Sequence, residues 1–127
     1  MNVMIVGVGG QGTLLTSRII GKTALKMGYD VKISEVHGMA QRGGSVVTYV
    51  RFGEKVCEPV VEEGGADLLL AFERAEAFRY AHFLKKDGVM VVNDCRIDTL
   101  SPIFKNNHTV YFPPFSSLSY IKISDIL

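Results

Sequence analysis

The run Ile5-Val6-Gly7-Val8-Gly9-Gly10-Gln11-Gly12-Thr13 decides how the rest of the chain is read. It closes a short apolar strand, Val3 to Val6, with the spacing G-x-G-x-x-G, and a helical pattern follows. A wholly apolar strand of this kind is buried on both faces of a parallel sheet. The glycines carry distinct expectations. Gly7 permits a tight turn, Gly9 lets a phosphate approach the backbone, and Gly12 lets the helix pack closely on the strand. Gly10 is an extra glycine that most dinucleotide fingerprints lack. The N-terminus of the next helix offers unpaired N–H groups and a partial positive charge to an anion. Gly7, Gly9, Gly10, Gln11, Gly12 and Thr13 are therefore the candidate cofactor-binding residues. Glu35, at the end of the second strand, stands where a ribose-binding acid is expected. Glycines also serve strand–helix junctions that hold no ligand, so the motif supports the fold more than it supports NAD.

Outward from that loop, strands and helices alternate as in an α/β layer fold. Thr13 to Met27 reads as a helix with Leu15, Ile19, Ile20, Ala24 and Met27 facing inward and Arg18, Lys22 and Lys26 facing out. Gly28 caps it, and Val31 to Val36 completes a βαβ unit. His37 to Gly44 is a polar, glycine-bearing loop. Ser45 to Phe52 is β-branched and alternating, and Gly53-Glu54 is read as turning it into a shorter strand around Val56. Asp67 to Phe72 is a buried strand. Glu73 to Leu84 is a helix with Phe78, Ala81 and Leu84 inward and Lys85 and Lys86 in its last turn. Val89 to Asn93 is the last clear strand. The expected fold is a Rossmann-like three-layer sandwich. Its sheet is mostly parallel, with Val3–Val6, Val31–Val36, Asp67–Phe72 and Val89–Asn93 as inner strands. The segment 45–57 is an antiparallel hairpin added to it.

Composition bounds the function. The 127 residues suit one domain, and 47% hydrophobic against 21% charged residues supports a packed core. Fourteen basic and 13 acidic residues leave a formal net charge of +1, which gives no electrostatic case for nucleic acid or an anionic membrane. Apolar runs are far too short to cross a bilayer, and no signal peptide is read at the start, so a cytoplasmic domain is expected. The two cysteines, Cys57 and Cys95, have no metal-site or redox spacing and read as small apolar residues. A P-loop, a nucleophile elbow and a zinc-protease motif are all missing. Glu73 and Glu76, one turn apart, read as solvated helix carboxylates. No self-sufficient catalytic set emerges.

The glycine loop is followed by Ser34-Glu35-Val36-His37-Gly38-Met39-Ala40-Gln41-Arg42-Gly43-Gly44-Ser45-Val46, then by Ala66-Asp67-Leu68-Leu69-Leu70-Ala71-Phe72-Glu73 and Val91-Val92-Asn93. In that order and spacing the chain resembles the γ-type component of 2-oxoacid:ferredoxin oxidoreductases. Within that family it is most similar to the β-type subunits that act on indolepyruvate. The likeness covers roughly the first 95 residues, and the family continues beyond this length with another strand and helices. Residues 97–127 are a poorly matched tail of a single 1–127 domain.

The resemblance implies a subunit that carries no catalytic residue and binds no cofactor alone. Its partner would be an α-type subunit holding thiamine diphosphate and 4Fe–4S clusters, through which ferredoxin is reduced. The complex would oxidatively decarboxylate an arylpyruvate to an acyl-CoA, and this component is associated with coenzyme A access. The loop residues His37, Gly38, Gln41, Arg42, Gly43 and Gly44 are expected to face the partner's pocket. Arg42 can present a bidentate fork to a carboxylate or phosphate. A homodimer stays open. The competing reading is a free-standing nucleotide-binding Rossmann module, whose discriminating feature is Glu35 on a ribose.

Overall fold

The computed structural model describes residues 1–37 and 43–93, together with the backbone of 119–122. Strands are β1 (Asn2–Val8), β2 (Asp30–His37), β3 (Ser45–Gly53), β4 (Ala66–Ala71), β5 (Leu84–Val92) and β6 (Ser119–Lys122). Helices are α1 (Thr13–Lys26) and α2 (Arg74–Tyr80), the latter continued by one 3-10 turn at Ala81–Phe83. The six strands form one sheet in the order β2-β3-β1-β4-β5-β6. Pairings β1–β4, β4–β5 and β5–β6 are parallel, whereas β2–β3 and β3–β1 are antiparallel. The expected α/β sandwich with a mostly parallel sheet is therefore the observed one.

Alternation along β1 builds the two faces. Met4 and Val6 point to one side, where Leu69, Ala77, Leu84, Met90 and Val92 pack under α2. Val3 and Ile5 point to the other, with Val50 and the half-buried Ile20, Val31, Leu68 and Leu70. Residues Val3 to Val6 are essentially inaccessible, as an inner strand between β3 and β4 requires.

Four expectations about elements need correction. First, Val31–Val36 is not an inner strand. β2 is the sheet edge, with Lys32, Ile33, Val36 and His37 exposed, and β3 separates it from β1. The βαβ unit keeps its parallel sense but is split by an inserted strand. The centre of that strand, Val46 to Val50, is buried because it is paired on both sides.

Second, there is no 45–57 hairpin. The antiparallel hairpin is β2–β3, joined through 38–44. The chain after Gly53 is not strand, because the Val56 N–H donates instead to the Asp30 carboxylate at 2.9 Å. Third, the inward face of α1 is Thr13, Ser17, Gly21 and Ala24, whereas Leu15 and Ile19 are 64% and 57% exposed, and Met27 is exposed too. The helix lies so close to the sheet that a Cβ on Gly21 would stand 2.7 Å from Ile33 Cδ1. Only small residues fit there; of the expected large residues Ile20 alone packs on the core, half-buried, and Leu15, Ile19 and Met27 are turned out.

Fourth, the second helix ends at Tyr80. Leu84 already pairs with Ala66 at the start of β5, so Lys85 and Lys86 lie on a strand, where Lys85 is ion-paired with Asp67. Phe78 is exposed rather than inward.

Candidate functional site

The glycine loop sits at the C-terminal end of β1, beside the C-terminal end of β4, the side of an α/β sheet on which ligand sites form. The glycines divide their tasks differently from expectation. Gly7 is within β1, not in the turn, and an added Cβ would lie 2.8 Å from Gln11 Oε1 and 3.1 Å from both Phe72 Cβ and Thr13 Cγ2. It is glycine because neighbours crowd it. Gly10 and Gly12 have open space but φ values of +94° and +88°, which L side chains resist. Gly12 is the N-cap of α1, has no side-chain cap, and no acid occupies the first turn. The first-turn N–H groups have no intrahelical acceptor by geometry, so this end suits an anion.

Gln11 works within the chain. Its Oε1 accepts the Val8 N–H at 2.7 Å, and its Nε2 donates to Phe72 O at 3.3 Å. The same carbonyl accepts from Asn93 Nδ2 at 3.4 Å, and the Asn93 N–H donates to Ala71 O at 2.8 Å. Two side-chain amides, Gln11 and Asn93, thus converge on Phe72 O and tie the glycine loop to the ends of β4 and β5. Thr13, also a candidate, is buried against Gly7.

The two candidate loops meet. The Gly9 N–H donates to Gly44 O at 3.1 Å. Gly43 has φ +77°, a conformation glycine adopts without strain. His37, exposed at the end of β2, has its Nε2 3.4 Å from Glu35 Oε2. Gly38, Gln41 and Arg42 lie outside the described residues.

Glu35 does not stand where a ribose acid would. In a dinucleotide fold the strand bearing that acid neighbours β1. Here Glu35 faces Thr48 of β3, which in turn faces Ile5. The acid is one strand farther away, a displacement of about 4.8 Å. Glu35 Oε1 and Thr48 Oγ1 are buried without a hydrogen-bond partner among the described residues.

Sequence reasoning missed a second polar cluster. Glu73 and Glu76 are not solvated; they are 3% and 5% exposed. Glu73 caps α2, its Oε2 accepting the Glu76 N–H at 3.0 Å. Glu76 Oε2 accepts the Ser45 hydroxyl at 2.5 Å, and Ser45 Oγ is 3.2 Å from Tyr80 OH. Arg79 stands 3.4 Å from Glu76 Oε1. Burial, with Tyr80 nearby, pushes the Tyr49 hydroxyl above its ordinary range. The available signal was Ser45 directly after Gly43-Gly44, paired with the three-residue spacing of two glutamates.

A cleft of about 390 Å³ opens at the other end of the sheet, lined by Met1, Asn2, Arg51, Cys57 and Glu58 among others. Lys55 and Arg51 both line it, and Arg51 is engaged internally, donating to Asn2 Oδ1 at 3.0 Å and to Val60 O at 2.8 Å. It lies away from both loops, and the chemistry favours the loops. Among the described residues no three His, Cys, Asp or Glu side chains converge to hold a metal. None of the described helices is long and apolar enough to span a membrane.

A family profile described as pyruvate ferredoxin/flavodoxin oxidoreductase matches residues 2–122. The indolepyruvate oxidoreductase subunit IorB of Thermococcus kodakarensis is 53% identical over 92 residues, covering 72% of this chain and 46% of the relative. The same-named subunit of Archaeoglobus fulgidus is 52% identical over 97 residues, covering 76% and 48%. The chain spans about half the length of the curated relatives it matches. Among solved structures, the γ subunit of a keto/oxoacid ferredoxin oxidoreductase from Geobacter sulfurreducens aligns with a TM-score of 0.65 at 23% identity, covering 95% of this chain and 59% of that one. A 2-oxoglutarate:ferredoxin oxidoreductase from Magnetococcus marinus aligns with a TM-score of 0.66 at 14% identity, over 94% of this chain and 19% of that one. These two likenesses speak to the fold.

Proposed function

Since this chain belongs to the pyruvate ferredoxin/flavodoxin oxidoreductase family, we propose that it serves as a subunit of a 2-oxoacid:ferredoxin oxidoreductase. The substrate would be an arylpyruvate such as indolepyruvate, the class named for relatives at 52–53% identity. The family match over residues 2–122 carries the reading, and the site it points to is marked by the Gly9 N–H to Gly44 O bond at the end of the β1–β3 ladder. That bond brings the glycine loop and the stem of the His37–Gly44 loop together at the strand end where α/β proteins bind ligands. His37, Gly38, Gln41, Arg42, Gly43 and Gly44 would face the pocket of the α-type partner. With the Gly9 and Gln11 N–H groups bonded to Gly44 O and Val8 O, the N–H groups of Gly10, Gly12 and Thr13 would be the ones offered to an anion such as a coenzyme A phosphate.

The residues of this chain do not fit the redox groups of such a complex. A 4Fe–4S cluster takes four thiolates, whereas the sequence holds two cysteines, of which Cys57 is exposed. Thiamine diphosphate, the electron sink that decarboxylation needs, and the clusters would reside in the partner. Electrons would leave to ferredoxin from there. This chain's contribution would be to shape the pocket wall and orient the acyl acceptor.

The displaced position of Glu35 weighs against the free-standing nucleotide module, because a ribose held at the glycine loop would lie one strand away from it. The test is co-purification with the thiamine-binding partner, followed by ferredoxin reduction across a series of 2-oxoacids. The isolated chain should be silent, and activity should appear with the partner. Arg42→Ala in the assembled complex should lower kcat/KM roughly ten- to a hundred-fold, the loss of one charge-assisted contact of about 1.5–3 kcal/mol. Arg18→Ala, on the outer face of α1, should leave it near wild type. Equal activity of both variants in complexes that assemble normally would remove the loop from the mechanism.

A further inference from the structure

Glu76 is a buried carboxylate at the third position of α2, and its use there is unusual. An acid at that position commonly folds back to the helix's own N-cap N–H. Here Glu73 caps the helix by itself, accepting the Glu76 N–H. The Glu76 carboxylate reaches across to another element and accepts the Ser45 hydroxyl at 2.5 Å. Ser45 is the first residue of β3, directly after Gly43 and Gly44. Its hydroxyl also lies 3.2 Å from Tyr80 OH, at the far end of the same helix. One residue earlier, Gly44 O accepts the Gly9 N–H. The Gly9–Gly44 bond is the rung that follows the Val8–Ser45 pair of the β1–β3 ladder, so the stem is held by β1 through its backbone and by α2 through the Ser45 side chain.

Stability alone does not call for this arrangement. Burying a carboxylate costs more than filling the same space with an apolar side chain, and buried ionic groups are often replaceable at no loss of stability. A carboxylate in this place supplies direction: its acceptor aims one hydroxyl at one point.

We propose that Glu76 is a positioning residue for the site. Its buried carboxylate, through Ser45, fixes the end of the β1–β3 ladder and so keeps the last rung of that register, Gly9 N–H to Gly44 O, closed where the two loops part. This rests on the reading that the two loops form the pocket wall, but the register itself is measurable without that reading.

The test is amide hydrogen exchange on the full chain, comparing wild type with Glu76→Ala, Ser45→Ala and Glu76→Gln. Loss of one hydrogen bond of ordinary strength should speed exchange of the Gly9 amide about tenfold in both alanine variants. The β1 and β4 amides of Ile5 and Leu69 should keep their protection. Glu76→Gln retains an acceptor oxygen at the same reach and should restore most of the Gly9 protection. Ser45→Ala keeps the experiment decisive if Glu76→Ala does not fold, because it leaves the helix untouched. Unchanged Gly9 exchange in the alanine variants overturns the proposal. So does a uniform rise across Gly9, Ile5 and Leu69, which marks general destabilisation. In the assembled complex, turnover lowered by Arg42→Ala but unaffected by Glu76→Ala overturns the positioning role and leaves the functional reading standing. Turnover unaffected by Arg42→Ala defeats the functional reading, while the exchange data still decide the register.

Discussion

Gly7→Ala is the substitution that best tests how the glycine loop is built. The new Cβ would stand 2.8 Å from Gln11 Oε1, 3.1 Å from Phe72 Cβ and 3.1 Å from Thr13 Cγ2. Phe72 Cβ cannot withdraw without moving the backbone, whose N–H is bonded to Val6 O at 2.9 Å. Gln11 can swing away, but it then gives up its bonds to the Val8 N–H and to Phe72 O. Overpacking of this kind costs about 1–3 kcal/mol, and each lost hydrogen bond adds about 1 kcal/mol. A total near 3 kcal/mol corresponds to a fall in Tm of about 10 °C for a chain of this size.

Denaturant unfolding followed by circular dichroism, on wild type, Gly7→Ala, Gln11→Ala and the double variant, separates the parts. Gln11→Ala removes the nearest obstacle, so Gly7→Ala should cost at least about 1 kcal/mol less in that background. A coupling below about 0.3 kcal/mol is the scatter of independent sites. That result would refute the argument that Gly7 is glycine to make room for Gln11, and would return the position to the tight turn expected of it.

Three further outcomes follow from the structure. Calorimetric titration of the isolated chain with NAD should show no micromolar binding, and Glu35→Ala should change nothing; tight binding abolished by that substitution would restore the nucleotide module. Ser17→Leu should destabilise the chain by about 1–3 kcal/mol in chemical denaturation, because Ser17 is fully buried on the inward face of α1. Leu15→Ser, on the exposed side, should stay within about 0.5 kcal/mol, and the reverse order would return the inward stripe to Leu15 and Ile19. Burial alone would raise the Asp67 carboxyl, but the Lys85 ammonium and the Asn2 N–H outweigh it and hold the group below its ordinary 3.8. Its stabilising contribution is therefore present above about pH 4 and lost as the pH falls through the native-state value. Asp67→Asn should be less stable than wild type at pH 7, and the gap should close in acid; a gap independent of pH would show that the charge is not its source.

Local pattern made much of this protein legible in its sequence. The apolar run Val3–Val6, the glycine spacing after it and the helical period from Thr13 determined a strand, a tight junction and a helix, because each depends on residues adjacent in the chain. The runs at Asp67–Phe72 and Val89–Asn93 likewise announced buried parallel strands. The polar, glycine-bearing stretch from His37 to Gly44 reads as a loop from its composition alone.

What only the tertiary structure decided is which elements lie side by side. Alternation along Ser45–Phe52 marks a strand, but it does not say that β3 enters between β1 and β2, and that insertion is what carries Glu35 away from the glycine loop. The inward face of α1 followed size rather than hydrophobicity, because the closeness of helix and sheet at Gly21 leaves no room for a leucine. Glu76 read as solvated because its partner, Ser45, is 31 residues away. A charge can be buried only beside a group that satisfies it, and chain folding, not sequence spacing, supplies that group.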